Sequence, residues 1–338
     1  VIKIPATIKD IARYTGLSIA TISKYLNGGN VLEKNRILIE EAIKALDFEV
    51  NEIARGLRTN KTMTVGVLIP VFEQFFSTII SSLETILLET GYSVVVCDYK
   101  DDEKLEKERF DFLYKKRVDA LVVVPTSLRG CDIRKIVKRD IPIIAIDRPI
   151  PDYECDTIVV NNFEISYKAV EKLITMGHRK IGIICGPQNI YTAKERLRGY
   201  IEAHKNYNVE IDEGYIKFSD YHSMESGFKR MMELLEKDDP PTAVFITNYD
   251  MTVGSVIAMN EKDVKIPDEL SVIGFDSIEI ARMVKPPLSL VLQPTEEIGK
   301  AASELILKRL KGDKSDFPLF KKLDAQLLIK KSIREIKC

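Results

Sequence analysis

From Thr64 onward the chain repeats one pattern: a short run that is apolar without a break, then a stretch of helical periodicity. The first series has apolar runs at VGVLIP (65–70), SVVVC (93–97), ALVVVP (120–125) and PIIAID (142–147). Helical stretches around Phe76–Glu89, Glu103–Lys115 and Ile133–Lys138 separate them. The second series opens with helix Ile165–Met176, strand KIGIICG (180–186) and helices Thr192–Tyr207 and Met224–Glu236. It closes with strand AVFIT (243–247), helix Met251–Asn260 and strand LSVIGFD (270–276). A strand without polar alternation has both faces buried, and intervening helices supply the cover. The pattern therefore predicts an α/β fold with parallel sheets and helices on both sides. Two series predict two similar lobes rather than one large sheet.

Polar residues gather at or just beyond the ends of these strands. Pro70 with Phe75 and Phe76, Asp147 with Arg148, Asn161, Asn248 and Asp276 all fall there. In open parallel sheets, ligands bind beyond the carboxyl ends of the strands. Two lobes offering such edges to each other make a cleft lined with carboxylates, amides, an arginine and aromatic rings. Carboxylates and amides pair with hydroxyl groups, and aromatic faces stack on apolar ring faces. Such a lining suits a polyhydroxylated or otherwise polar small molecule.

Ahead of the lobes stands Thr7–Asn27, TIKDIARYTGLSIATISKYLN, which reads as a helix-turn-helix. Thr7 can cap a short helix whose Ile8, Ile11 and Ala12 form an apolar stripe. Gly16 supplies the turn, and Ser18 can cap a second helix in which Ile22, Tyr25 and Leu26 face the first. Ile19, Ala20, Ser23 and Lys24 are left on the outer face near the second helix's start, where a recognition helix meets base edges in the major groove. A third helix over Lys34–Leu46 is expected to cover the first two with Ile37, Ile39, Ala42, Ile43 and Leu46. Next comes NEIARGLRTNKT, where Asn51 can cap a stripe of Ile53, Ala54 and Leu57. A helix that short, interrupted by Gly56, needs a partner surface to persist. Thr59–Thr64 follows as a mostly polar linker.

Charge is distributed as this division requires. The 338 residues carry a net charge of only -1, but ten Lys and Arg stand against seven Asp and Glu through Thr62, and 40 against 44 thereafter. A mildly basic head on an acidic body is the electrostatic footprint of a nucleic-acid module joined to something else. The five cysteines include no CxxC pair and form neither a disulfide framework nor a zinc pattern. No apolar run approaches a membrane span and no signal peptide is visible, so a cytoplasmic protein without a membrane partner is expected. The three histidines are scattered: His178 is read as closing a helix, and His204 and His222 stand alone. HExxH, a nucleophile elbow, GxxxxGK[ST] and GxGxxG are all missing, so no enzyme and no cofactor are expected.

Together the segments TIKDIARYTGLSIATISKYLN, NEIARGLR, MGHRKIGIICGP, RLRGY, IPDELSVIGFD and LVLQPTEEIG resemble the LacI/GalR family of bacterial transcription regulators, essentially along the whole chain. The resemblance implies a helix-turn-helix head at 1–50, a hinge helix and linker at 51–63, and a two-lobed, periplasmic-binding-protein-like sensor. The first lobe would comprise 64–160 with 293–321, and the second 161–292 with 322–338. Three crossovers would join them, near Val160–Asn161, Leu290–Gln293 and Phe320–Leu323. Helix Glu296–Lys311 would return to the first lobe and the last strand, around Leu327–Lys330, to the second.

Carried over residue by residue, Ile19 and Ala20 match base-reading positions and Lys24 a base- or phosphate-contacting one. Thr7, Ser18, Thr21, Ser23 and Asn27 belong to the same DNA-facing set. Asn51, Ala54 and Leu57 match the hinge helix, whose leucine wedges into the minor groove and bends the duplex. Phe75, Phe76, Asp147, Arg196, Asn248, Asp276 and Gln293 match positions lining the effector pocket, beside Arg148 and Asn161 from the strand-end reading. Asn161 stands where the family often has Asp, Asn248-Tyr249 where it often has Asn-Asp, and Lys24 where it often has Arg. A lysine is a point charge and contacts guanine less well than the bidentate guanidinium does. The implied function is a dimeric repressor of a palindromic DNA operator, controlled by a small polar effector, a sugar or sugar derivative. A regulator governed by a partner protein or by a nucleobase-type corepressor is the alternative.

Overall fold

The structure is a computed structural model that describes residues 6–26, 29–48, 61–276 and 278–336. Asn27, Asn51, Ala54 and Leu57, named above as DNA-facing, lie outside the described residues. The chain separates into two compact units, Val1–Thr62 and Met63–Cys338.

In the first unit, α1 (Ile8–Thr15), α2 (Ile19–Leu26) and α3 (Glu33–Leu46) enclose a small core. Ile11, Ile22, Ile39 and Ala42 are fully buried there, and Ala12, Tyr25, Leu26, Ile43 and Leu46 pack around them. Gly16 ends α1 at φ 70°, a conformation open to glycine at no steric cost, and returns its N–H to the Ala12 carbonyl at 2.9 Å. Ser18 Oγ accepts the Thr21 N–H at 3.2 Å and so starts α2. Ile37 is not part of this core. It is 47% exposed, because Ile39 and Ala42 already present the inward face of α3.

The second unit contains two six-stranded sheets. The first is built from β1 (Thr64–Ile69), β2 (Ser93–Asp98), β3 (Ala120–Val123), β4 (Ile143–Ile146), β5 (Asp156–Val160) and, from near the C-terminus, β11 (Phe320–Leu323). Its spatial order is β11-β5-β4-β3-β1-β2, parallel throughout. Helices α4 (Gln74–Glu89), α5 (Glu103–Lys115) and α6 (Gly130–Ile136) connect its strands.

The second sheet comprises β6 (Ile181–Cys185), β7 (Ile216–Phe218), β8 (Ala243–Ile246), β9 (Ser271–Phe275), β10 (Ser289–Leu292) and β12 (Gln326–Leu328). It repeats the order, β12-β10-β9-β8-β6-β7, with only β12 antiparallel. Its helices are α7 (Asn162–Thr175), α8 (Tyr191–Asn206), α9 (Met224–Leu235), α10 (Tyr249–Glu261) and the short α11 (Ile278–Met283). Neither β5, β7 nor α11 stands out in the apolar pattern of the sequence.

Continuous apolarity in the strands has the expected cause. In β3, Ala120 and Val122 pack into the cluster holding Ile79 and Leu83 of α4, while Leu121 and Val123 join Phe110 and Leu113 of α5 on the other face. Helix α12 (Thr295–Leu310) belongs to the first lobe. Gly299 lets it approach α4 so closely that a Cβ there would lie 2.5 Å from the Ile79 carbonyl oxygen. Arg309 near its end forks onto buried Asp156 of β5, with N···O distances of 2.7 and 2.8 Å.

The chain changes lobe three times: after β5, between β10 and α12, and between β11 and β12. The third change comes later than the expected residue 321, because β11 stays paired with β5 through Leu323. Asn161 ties the first crossover to the third. Its Nδ2 donates to Asp324 Oδ1 at 2.7 Å, and its Oδ1 accepts the Ala325 N–H at 2.9 Å.

Candidate functional site

Between the lobes lies a narrow cavity lined by side chains of both. Most side chains on it come from the carboxyl end of a strand or from the turn or helix that follows it. Phe75 and Phe76 follow β1, Asp147 and Arg148 follow β4, Asn248 follows β8, Asp276 follows β9 and Gln293 follows β10. Arg196 and Thr192 project from α8. Of the nine residues nominated from sequence for this pocket, eight line it. Asn161 does not, because its amide is spent on Asp324 and Ala325 at the crossover.

Arg196 is the organising cation. Nε donates to Asn162 Oδ1 at 2.7 Å, one terminal nitrogen to the Thr247 carbonyl at 2.6 Å, and the other to Gln293 Oε1 at 3.3 Å. Its guanidinium lies 4.0 Å over the Phe275 ring. The fork thus joins α7, the end of β8 and the β10–α12 crossover, as a planar group with five donors can and a lysine cannot. Across the cleft, Arg148 Nε meets Asp147 Oδ2 at 3.1 Å, with both side chains 7% exposed. A further nitrogen of Arg148 reaches Thr126 Oγ1 at 3.3 Å. Fully buried Glu106 holds that loop by accepting the N–H groups of Thr126, Ser127 and Leu128.

Burial pushes the Asp276 carboxyl up to about 6, although the hydrogen bonds from Gln293 and the charge of Arg196 work in the other direction. Asp147, His222 and Asp276 all sit at left-handed φ angles, 68°, 59° and 53°. Strain of this kind gathers where a site dictates the direction of a side chain.

Sequence reasoning missed Glu73, Thr192, Tyr221 and His222, all on the cavity wall. It noted Tyr249, also there, only as a departure from the family. His222 is not alone in the fold: Nδ1 lies 2.9 Å from Glu73 Oε2 and Nε2 3.6 Å from Asp101 Oδ2. Burial disfavours the charged ring, but Glu73 with Asp101 and Asp250 outweighs it and raises its pKa. Burial, and then the charge of Glu73, raises that of Asp250. The other two histidines serve the fold. His178 is buried between Thr242 Oγ1 and the Arg334 carbonyl, at 2.9 and 3.2 Å, and burial depresses its pKa to about 4. His204 is buried and meets the Tyr200 carbonyl at 2.9 Å.

On the head, Ile19 is 45% exposed and Ala20 and Lys24 are exposed beside it. Thr21 and Ser23 are half-buried on the same helix. Ala20, Thr21 and Lys24 open on a concavity bounded by Asn30, Val31, Leu32 and Asn35. Thr7 gives both its N–H and its hydroxyl to Asp10, at 2.9 and 2.7 Å, and Ser18 spends its oxygen on Thr21. Among the described residues no helix is long and apolar enough to cross a membrane.

Known proteins match along these same two units. Residues 7–51 match the family model described as bacterial regulatory proteins, lacI family. Residues 62–330 match the one described as periplasmic binding proteins and sugar binding domain of LacI family. The HTH-type transcriptional repressor PurR of Actinobacillus pleuropneumoniae serotype 3 is 31% identical over 98% of this chain and 99% of its own. Its namesake in Mannheimia succiniciproducens is 32% identical with the same coverage. The Lac repressor dimer bound to operator shares the fold, with a TM-score of 0.86 at 24% identity over 98% of this chain and 100% of that one. The transcriptional regulator CelR in complex with cellobiose matches with a TM-score of 0.72 at 26% identity, over 97% of this chain and 99% of that one. With both units matched by family models and relatives more than 30% identical along 98% of its length, the chain belongs to the LacI family of bacterial regulatory proteins and is a DNA-binding transcriptional repressor, not an enzyme.

Proposed function

We propose that the protein binds a two-fold-symmetric operator as a dimer, and that a small polyhydroxylated effector in the interlobe cleft sets its affinity. The observation that carries this reading is the convergence of Asp147, Arg148, Asn248, Asp276 and Gln293 with Arg196 and the rings of Phe75, Phe76 and Tyr221 on one cavity. Carboxylates and amides accept from and donate to hydroxyls, the guanidinium groups donate, and the rings offer flat apolar faces. A sugar or sugar derivative presents the matching surface. Structural relatives at 25–26% identity hold cellobiose and, in an Enterococcus faecium regulator, ribose, which supports the same class.

Ile19, Ala20 and Lys24 would read bases, with Thr7, Ser18, Thr21, Ser23 and Asn27 on the phosphate backbone. Asn51, Ala54 and Leu57 would form the hinge, with Leu57 as a minor-groove wedge. Effector binding changes lobe closure, and closure sets the separation of the two hinges of a dimer. A ligand shifts this equilibrium only by its differential affinity for the two lobe arrangements.

The three aromatic rings also favour a second reading, in which a nucleobase stacks between them. A thermal-shift screen of sugars and nucleobases decides. A saturable upward shift with one sugar class supports the first reading. A response confined to nucleobases replaces it with the second, and no response to either class overturns both.

A further inference from the structure

Glu73 and His222 of the cavity wall, with Asp250 beside them, form a group of side chains that the proposed effector binding does not use. Glu73 precedes α4 in the first lobe, whereas His222 follows β7 and Asp250 opens α10 in the second. One ligand-capable atom from each lies within 4.8 Å of the other two. We propose that Glu73, His222 and Asp250 bind a divalent transition-metal ion, of the zinc, cobalt or nickel kind, which ties the two lobes together.

One imidazole nitrogen with two carboxylate oxygens is a donor set for these ions. Calcium and magnesium take oxygen alone. Three protein ligands leave a coordination position open, as in sites that bind a further molecule. Ligand atoms around a tetrahedral ion, roughly 2.0–2.2 Å from each, lie about 3.3 Å apart. The group therefore closes with movements of at most about 1.5 Å, within reach of a carboxylate rotating on its stem.

Asp101 faces His222 Nε2 at 3.6 Å, on the opposite edge from Nδ1, which looks toward Glu73 at 2.9 Å. On binding a metal, Nδ1 would give up the proton it now donates to Glu73, and Asp101 would draw in to fix the remaining proton on Nε2, the usual support of a ligating histidine. Glu73 and His222 are well sheltered, with side chains 14% and 12% exposed. Three carboxylates surround one imidazole, and a dication balances the excess. The ion would hold Glu73 to His222 and Asp250 whatever molecule fills the cleft behind them.

The test is a titration of the chelator-treated full chain with CoCl2, followed by visible d–d absorption. The expected result is saturation at one Co²⁺ per chain, no thiolate-to-cobalt charge-transfer band, and displacement by Zn²⁺. Asp101→Asn should weaken binding by about 10–100-fold. His222→Ala and the isosteric Glu73→Gln and Asp250→Asn should weaken it at least as much. Cys131→Ser, at an exposed thiol, should leave it unchanged. Absence of saturable binding, a charge-transfer band from a cysteine, or identical titrations for the wild type and the two isosteric variants overturns the site.

Discussion

Gln293 donates twice to the carboxylate of Asp276, from its backbone N–H at 2.9 Å and from its side-chain amide. Asp276 follows β9 in the second lobe, whereas Gln293 lies in the segment that carries the chain from β10 to α12 in the first. A ligand that engages Asp276 must therefore exchange hydrogen bonds with a crossover. Under the proposed function, the link between cleft occupancy and lobe geometry would run through these two side chains, with Arg196 touching Gln293 Oε1 on the other side.

The raised Asp276 pKa gives the cleft a pH signature. The ionised carboxylate accepts hydroxyl protons, and it is lost as the pH falls through about 6. Sugar affinity should fall below that pH by up to about tenfold per unit, as one proton requires, and calorimetry across pH 5–8 reads it. Asp276→Asn should flatten the profile. At neutral pH it should cost about 1.5–3 kcal/mol of binding, the worth of a charged hydrogen bond. The same shift acts on stability with the opposite sense. The folded pKa lies above the ordinary aspartate value of 3.8, so the contribution is complete below 3.8 and disappears as the pH rises through about 6.

Arg196→Lys keeps the charge but removes the fork that reaches Asn162, Thr247 and Gln293 and the stack on Phe275. Loss of these buried charge-assisted bonds should lower stability by about 2–3 kcal/mol, measured by urea denaturation. Unchanged stability would mean that the guanidinium does not pin the crossover.

Among the described residues of the head, Ile22 is one of four fully buried apolar side chains. Ile22→Ala should cost about 2–5 kcal/mol, enough to unfold so small a unit, and operator binding should vanish. Sugar binding and the main melting transition should stay as they were.

Lys24 lies exposed beside Ile19 and Ala20 on α2. Lys24→Ala should relax base preference as well as affinity in anisotropy titrations against operator variants. A uniform loss across sequences would make it a phosphate contact instead. Lys24→Arg should sharpen the preference for guanine by about 1–3 kcal/mol.

The fold was legible because its signals are local. Uninterrupted runs such as ALVVV and SVIGF require two covered faces, and the turn at Gly16 with Ser18 behind it defines the head. Strand-end residues in the cleft, Asp147, Asn248 and Asp276, could be found for the same reason. Asn161 also ends a strand, but its destiny was set by Asp324 and Ala325, far along the chain. Tyr221 and His222 follow β7, whose three residues are too few to show a period. Glu73 gains meaning only when the lobes close on His222, and no spacing in the sequence encodes that meeting. Ile37 carries the right residue type at a position the helix turns outward.

The decisive measurement is an anisotropy titration of the intact chain onto a two-fold-symmetric operator, without sugar and with a saturating amount of the sugar that raises its melting temperature. Linkage through the lobes predicts that operator affinity changes by about 5–150-fold, and that operator changes sugar affinity by the same factor. Identical operator affinities with the cleft filled and empty would contradict it, because the cleft and the reading heads would then share no equilibrium.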